Sequence, residues 1–297
     1  MTQNHFKRGI ICCVIGAVTW GMNGAMSQFL FMHYTVEPAW LSAIRMLCTG
    51  FLLLFLNLPN KHTQINMMLH DIISIRKIII MTIFGLILCQ YAYLSCIKFS
   101  NAGTATILQT LCVVLLSIYL AIRFRKRPPN RELLAIFLAV VGVYLASTNG
   151  TPHAMIISPK GLFWGIAAAV GAVIYPTLSQ GLSAQWGAMS VNALAMIFGG
   201  SLLTFSLKLW NTFPLLDITG WLAVAFIIVV GTVISFSFFI QGVCDIGPLK
   251  GTLIGTLEPL VASIISAFWL QTTFGYIELL GYLFIISTVF IVMLKSE

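Results

Sequence analysis

The chain alternates between long apolar runs and short polar breaks, and the length of the runs decides the class of structure. Runs bounded by turn or charged residues fall at 9–31, 38–58, 78–98, 102–122, 132–148, 161–182, 189–210, 218–241, 249–270 and 275–294. A helix needs about 20 apolar residues to cross a bilayer, so each run predicts one transmembrane helix. The third and fourth runs are parted only by Phe99-Ser100-Asn101. One helix through both would far exceed a single crossing, so they read as two spans. Between the second and third runs, residues 62–77 put Ile65, Met68, Leu69, Ile72 and Ile75 on one helical stripe. That stripe predicts an amphipathic helix lying along the cytoplasmic interface.

Composition and charge remove the alternatives. Hydrophobic residues make up 59% of the 297 and charged residues 8%, against roughly 25% charged in a soluble domain. A net charge of +8 suits a nucleic-acid partner only on a solvated basic face, and here the basic residues sit in gaps between apolar runs. With ten spans and the amino terminus inside, Lys7, Arg8, Lys61, Arg76, Lys77, Arg123, Arg125, Lys126, Arg127, Arg131, Lys250 and Lys295 are cytoplasmic. Only Lys98, Lys160 and Lys208 fall outside, and Arg45 stays within a span. Basic residues collect on the cytoplasmic side, so both termini are expected there, in a multi-pass protein of the cytoplasmic (inner) membrane. Lys7-Arg8 before an apolar run resembles a signal peptide. The run lacks a small-residue cleavage site and recurs in the second half, so it reads as a retained helix. Cys12, Cys13, Cys48, Cys89, Cys96, Cys112 and Cys244 lie in or beside apolar runs with no metal-ligand spacing. They read as small buried apolar side chains.

The chain also matches itself. An offset of 152 lays residues 9–30 over 161–182 and pairs Gly9, Ala17, Val18, Ser27, Gln28 and Leu30 with identical residues. An offset of 150 does the same for Ala43, Met46, Gly50, Leu52, Leu53 and Phe55, and one of 146 for Thr106, Thr110, Leu111, Ser117, Ile118, Ala121 and Glu132 to Leu134. Three registers in one order divide the chain into repeats at 1–148 and 149–297. Five helices per repeat is odd, so the second copy enters the membrane from the opposite side. The expected fold is therefore all-α and integral to the membrane, with ten transmembrane helices as two inverted five-helix repeats. Secondary transporters use this architecture to open a midplane site alternately to each face.

Trp20-Gly21, AIR at 43–45, SNAGTATILQ at 100–109, RELLAIFLAVVGVYL at 131–145 and LEPL at 257–260 resemble the EamA-type drug/metabolite transporters. The resemblance covers nearly the whole chain. It implies a ten-helix inverted repeat that exports amino acids, related metabolites or drugs. There are two departures. Val113 stands where the family commonly has a proline, whose repeat mate Pro259 is present. The Gly-Glu that often follows the fourth and ninth spans is replaced by Arg123 to Arg127 and by Gln271-Thr272-Thr273.

Polar groups inside spans are the candidate site. Glu258 is the only acidic residue deep in a span, about nine residues or roughly 14 Å from the cytoplasmic end. A carboxylate there must be paired, protonated or open to a watery cavity. It is either a substrate-amine or proton site, or a hydrogen bond between helices beside Pro259, which frees a backbone carbonyl. Arg45, with Ala195 as its mate, either binds a carboxylate or snorkels to brace the outer gate, and its place near a span end favours the brace. Trp20 and Asn23 share a helical face with Ser27, and their mates are Ala172, Tyr175 and Ser179. Those groups suit a cavity wall, though Asn and Ser also join helices. Gln109, Tyr91 and Ser235 are further substrate-binding candidates. Gln28 and Gln180, mates near opposite ends, are candidate gate caps, and Gly50 and Gly200 candidate points of close helix approach. None of the five histidines lies inside a span, which argues against a histidine proton relay.

A membrane enzyme would need paired carboxylates, a metal cluster or a nucleophile with a base, and an ATP-driven pump would need a phosphate-binding loop. Neither pattern occurs in the sequence. A structural or sensor protein leaves the repeat unexplained. The expected protein is a secondary transporter of amino acids or related zwitterions, in the export direction, with proton-coupled drug efflux as the alternative. Its expected partners are a small solute, the bilayer and, if coupled, protons. No cofactor, metal or nucleic acid is expected, and the chain is expected to act as a monomer.

Overall fold

The computed structural model describes residues 3–125, 130–151 and 155–293. Lys126, Arg127, His153 and Lys295, and the side chains of His5, Lys61 and His62, lie outside the described residues. The described chain is helical, with no strand. In hydrocarbon every backbone polar group must be satisfied within the protein, and a helix does this segment by segment.

The helices are α1 (Gln3–His33), α2 (Pro38–His70), α3 (Ile72–Phe99), α4 (Ala102–Phe124) and α5 (Asn130–Thr148). They continue with α6 (Pro159–Trp186), α7 (Ala188–Ser206), α8 (Ile218–Ile246), α9 (Pro248–Gly255 then Leu257–Phe268) and α10 (Tyr276–Met293). Among the described residues, eight helices are long and apolar enough to cross a membrane, and two shorter apolar stretches follow at Leu253–Phe268 and Tyr276–Ile291. Leu30, Met46, Leu94, Leu108, Met196 and Ile227 are buried in the middle, while Phe55, Ile122, Phe163, Leu222 and Phe268 face outward. So many exposed apolar side chains would be untenable in water.

The polar breaks between runs work as helix caps. Asn101 Oδ1 accepts from Thr104 N at 2.7 Å, Ser158 Oγ from Gly161 N at 3.0 Å and Asp217 Oδ1 from Gly220 N at 2.8 Å. Each satisfies a backbone donor that the first helical turn leaves free. One such cap corrects the expected interface helix over 62–77. α2 runs on through His70, and the chain turns at Asp71, whose carboxylate accepts from Ile73 N and from Ser74 Oγ. The apolar stripe is thus divided between two helices. Ile65 and Met68 pack inward at the end of α2, whereas Ile72 stands exposed at the start of α3.

The two halves of the bundle pack in matching ways. α2 lies on α7, α5 on α10 and α4 on α9, and α1 lies on α8 as α6 lies on α3. Both members of the α3 and α8 pair carry a π-helical turn, Thr82–Ile87 and Val229–Ile234. α4 and α9 both break, at Leu111 and Thr256. At each break a threonine hydroxyl donates to the carbonyl three residues back, Thr110 to Ile107 O and Thr256 to Leu253 O, both at 2.7 Å. These bonds compete with the helical ladder, so α4 breaks although it has Val113 where α9 has Pro259.

Candidate functional site

The helical breaks surround a cavity of about 240 Å³ midway along the bundle. Five of the seven expected substrate-binding residues line it: Trp20 and Asn23 from α1, Gln109 from α4, Tyr175 from α6 and Glu258 from α9. The π turns set two of these walls. A Cβ on Gly231 would fall 2.5 Å from Asn23 Oδ1, and one on Gly85 would fall 2.8 Å from Tyr175 Cα. Only glycine lets α1 and α6 approach so closely. Tyr175 then donates its hydroxyl to Asn192 Oδ1, and Trp20 leans on Phe236 and Phe239, with ring centroids 6.2 and 4.7 Å apart.

Arg45 also lines this cavity, which corrects its expected place at the interface. It is 4% exposed, and its Nη2 donates to Gln90 Oε1 on α3. An acceptor on the neighbouring helix draws the side chain sideways, where snorkelling would have drawn it along the helix to the span end. Among the described residues no ion pair joins Arg45 to Glu258, since the pairs formed are Arg8–Asp245 and Lys98–Glu37. The cavity therefore holds one cation and one anion that do not neutralise each other by contact.

Tyr91 and Ser235 lie elsewhere. Tyr91 meets Trp164 edge-on, with centroids 5.1 Å apart, at the contact of α3 and α6. Ser235 is buried, with its Oγ at 2.7 Å from both Thr19 Oγ1 and Val230 O. The repeat mates Gly50 and Gly200 both lie in the seam between α2 and α7. A Cβ on Gly50 would fall 2.8 Å from Ile197 N, and one on Gly200 would fall 2.9 Å from Ala43 O. Pro259 is buried in the wall of a second cavity of about 240 Å³, which shares Gln109 and Glu258 with the first.

Gln28 and Gln180 differ sharply. Gln28 is buried; its Nε2 donates to Thr272 Oγ1 at 2.9 Å, and its Oε1 accepts from Ala102 N at 2.8 Å and Ser266 Oγ at 3.0 Å. That staples α1, α4 and α9 together at the end of the bundle holding Lys98. Phe29 stacks on Trp269 beside it, with centroids 5.3 Å apart. At the same end Tyr34 donates to Asp217 at 2.5 Å and holds that carboxyl below its usual range, so the contact persists at neutral pH. Gln180, at the opposite end, is exposed.

Three groups escaped the sequence reading. Gln90 and Tyr93 line the cavity from α3, where they are one helical turn apart on one face. Glu278, 4% exposed on α10, accepts from Tyr282 Oη at 2.5 Å and Gly275 N at 3.2 Å, and Tyr282 in turn meets Thr104 Oγ1 at 2.7 Å. Its spacing of four residues from Tyr282 was the available signal.

The profile of the EamA-like transporter family matches residues 7–148 and again residues 159–294. The chain belongs to this family. That membership makes it a membrane transporter. The uncharacterized inner membrane transporter YicL of Salmonella typhimurium is 32% identical over 294 residues, which is 98% of this chain and 97% of its own. The uncharacterized transporter YetK of Bacillus subtilis is 23% identical over 229 residues, 74% of this chain and 68% of its own. A solved crystal structure superposes on 100% of this chain and 98% of its own, with a TM-score of 0.62 at 16% identity, a likeness of fold alone.

Proposed function

We propose that the protein is a secondary transporter that exports a small zwitterionic metabolite, amino acids foremost, across the inner membrane by alternating access. The observation that carries this is the central cavity, where Arg45 and Glu258 stand among aromatic walls without pairing to each other. A ligand bearing both charges satisfies both groups at once.

Several features support two inverted repeats over 1–148 and 149–297, and hence ten spans. The family profile matches twice, the mates α2 and α7, α4 and α9, and α5 and α10 pack on one another, and the π turns and helix breaks recur. The distribution of Lys and Arg supports cytoplasmic termini, and the relative named as an inner-membrane transporter supports that location. With this orientation Gln28 closes the outer end, while its mate Gln180 is exposed at the inner end. That asymmetry fits a state closed to the outside. Glu258, shared by both cavities, is the carboxylate in position to exchange a proton for substrate.

Purified protein in liposomes preloaded with amino acids tests the proposal. Uptake of labelled amino acid by counterflow is expected, without ATP and without chemical change. Counterflow absent for every amino acid but present for a bulky lipophilic cation would favour drug efflux. Conversion of the solute to a new product would make the protein an enzyme.

A further inference from the structure

The guanidinium of Arg45 has hydrogen-bonding capacity that the protein leaves unused. Nη2 donates to Gln90, but Nε and Nη1 are buried with no hydrogen-bond partner. A buried donor without an acceptor destabilises a fold, and a charged one more so. A transporter tolerates this where the missing acceptor belongs to the cargo. The guanidinium presents a flat fork of donors that matches a carboxylate in two parallel bonds. Gln90 takes one N–H of Nη2 and fixes the guanidinium plane, which leaves the second N–H of Nη2 to act with a neighbouring free nitrogen as the fork for the carboxylate.

The opposite chemistry is also present. Asn23 Oδ1 and the Tyr93 hydroxyl are buried without partners and line the same cavity as Glu258. An amide oxygen, a phenol oxygen and a carboxylate are acceptors for the three N–H bonds of an ammonium group. The two halves of the chain diverge at the anion-binding end. In the repeat register Arg45 corresponds to Ala195, and the offset of 146 that lays Gly85 over Gly231 in the two π turns lays Gln90 over Phe236. Helix packing common to both halves therefore does not require the Arg45–Gln90 pair.

We infer that Arg45, oriented by Gln90, binds the carboxylate of the transported solute, and that Asn23, Tyr93 and Glu258 receive its ammonium group. This rests on the central cavity being the transport site. It makes Arg45 a specificity-determining residue and removes it from the gate. Loss of the carboxylate from the cargo should then matter as much as loss of the arginine.

The test measures thermal unfolding of the purified full-length protein with each of the twenty protein amino acids, its decarboxylated amine and its carboxamide. A ligand that binds the native state raises the midpoint, by an amount that grows with the logarithm of its concentration relative to its Kd. At least one amino acid is expected to raise the midpoint while its amine and amide do not. Arg45→Gln should abolish that shift, and Arg45→Lys, which keeps the charge but not the fork, should weaken affinity at least tenfold. Without ligand, Arg45→Gln should unfold no earlier than wild type, because an unpaired buried charge has been removed. A brace predicts earlier unfolding. If Arg45→Gln does not fold, Arg45→Lys alone carries the test. Amines that stabilise as well as their acids, or an acid preference that survives both substitutions, would overturn the carboxylate clamp and leave the transporter reading standing. If no carboxylate-bearing solute stabilises wild type, the clamp and the zwitterion reading both fail.

Discussion

Gln28 offers a direct measurement of the conformational equilibrium, because its bonds should exist in one state only. It joins α1 to Thr272, Ala102 and Ser266 by three hydrogen bonds of 2.8 to 3.0 Å. Opening the outer end must separate these elements. At about 1 kcal/mol net for each bond, the staple favours the closed state by about 3 kcal/mol, or about a hundredfold in population. Gln28→Ala should remove most of that preference. Cys89 is a native reporter, since its thiol accepts from Gln109 Nε2 at 3.3 Å in the wall of the central cavity. In right-side-out vesicles, a membrane-impermeant thiol reagent should label Cys89 at least tenfold faster in Gln28→Ala than in wild type. Cys89→Ser identifies the signal, and Gln180→Ala, which removes an exposed side chain, should not reproduce it. Unchanged labelling of Cys89 in a folded Gln28→Ala protein would refute the staple as a gate and leave it as a fixed joint.

Glu258→Gln, which removes the charge that receives the ammonium group, should slow counterflow without a gradient and abolish its acceleration by an imposed pH gradient; equal stimulation in both proteins would remove Glu258 from proton coupling. Gly50→Leu and Gly200→Leu each add side-chain bulk where Ile197 N lies 2.8 Å and Ala43 O 2.9 Å from the new Cβ. Overpacking of this kind is worth about 1–3 kcal/mol. The two changes should bias the protein toward opposite faces, and identical responses of reporters at the two mouths would end the pseudo-symmetric account. A thiol introduced at Asn130 should resist impermeant reagent applied to intact cells, and labelling there would reverse the orientation.

The fold was legible because bilayer thickness imposes a length on every crossing, and that length shows directly as apolar runs. It was illegible where one helix outlasts its run, as α2 does through His70, because nothing in hydrophobicity distinguishes an interfacial helix from a helix that continues into water. Asp71 was the available signal, a capping residue followed three positions on by Ser74, whose hydroxyl it receives. The π turns left no trace in periodicity. Each adds about one residue to a turn, and the exposed and buried faces of a membrane helix are too alike in polarity for that slip to register. Five expected cavity residues were found because polar side chains are rare within spans. Arg45 was misplaced because a rule about one helix, that long cations reach for the interface, took no account of Gln90 on the next.

The repeat comparison becomes more informative when its mismatches are read together with its matches. Positions that agree between halves are mechanical. Gly50 and Gly200 seat α2 on α7, Thr110 and Thr256 break α4 and α9, and Gly85 and Gly231 admit α6 and α1 at the π turns. Under the inverted-repeat reading, each half must perform the movement that the other performs in the opposite state, so the joints have to be duplicated. The cargo is under no such demand. On the proposed zwitterion reading it sits once, between the halves, and needs one anion site and one cation site. Arg45 faces Ala195 in the register, Gln90 faces Phe236, Glu258 faces Cys112 and Asn23 faces Tyr175. These are the residues that line the cavity or stand in for those that do. On this reading symmetry between the repeats marks the joints, and departure from it around the central cavity marks the substrate site.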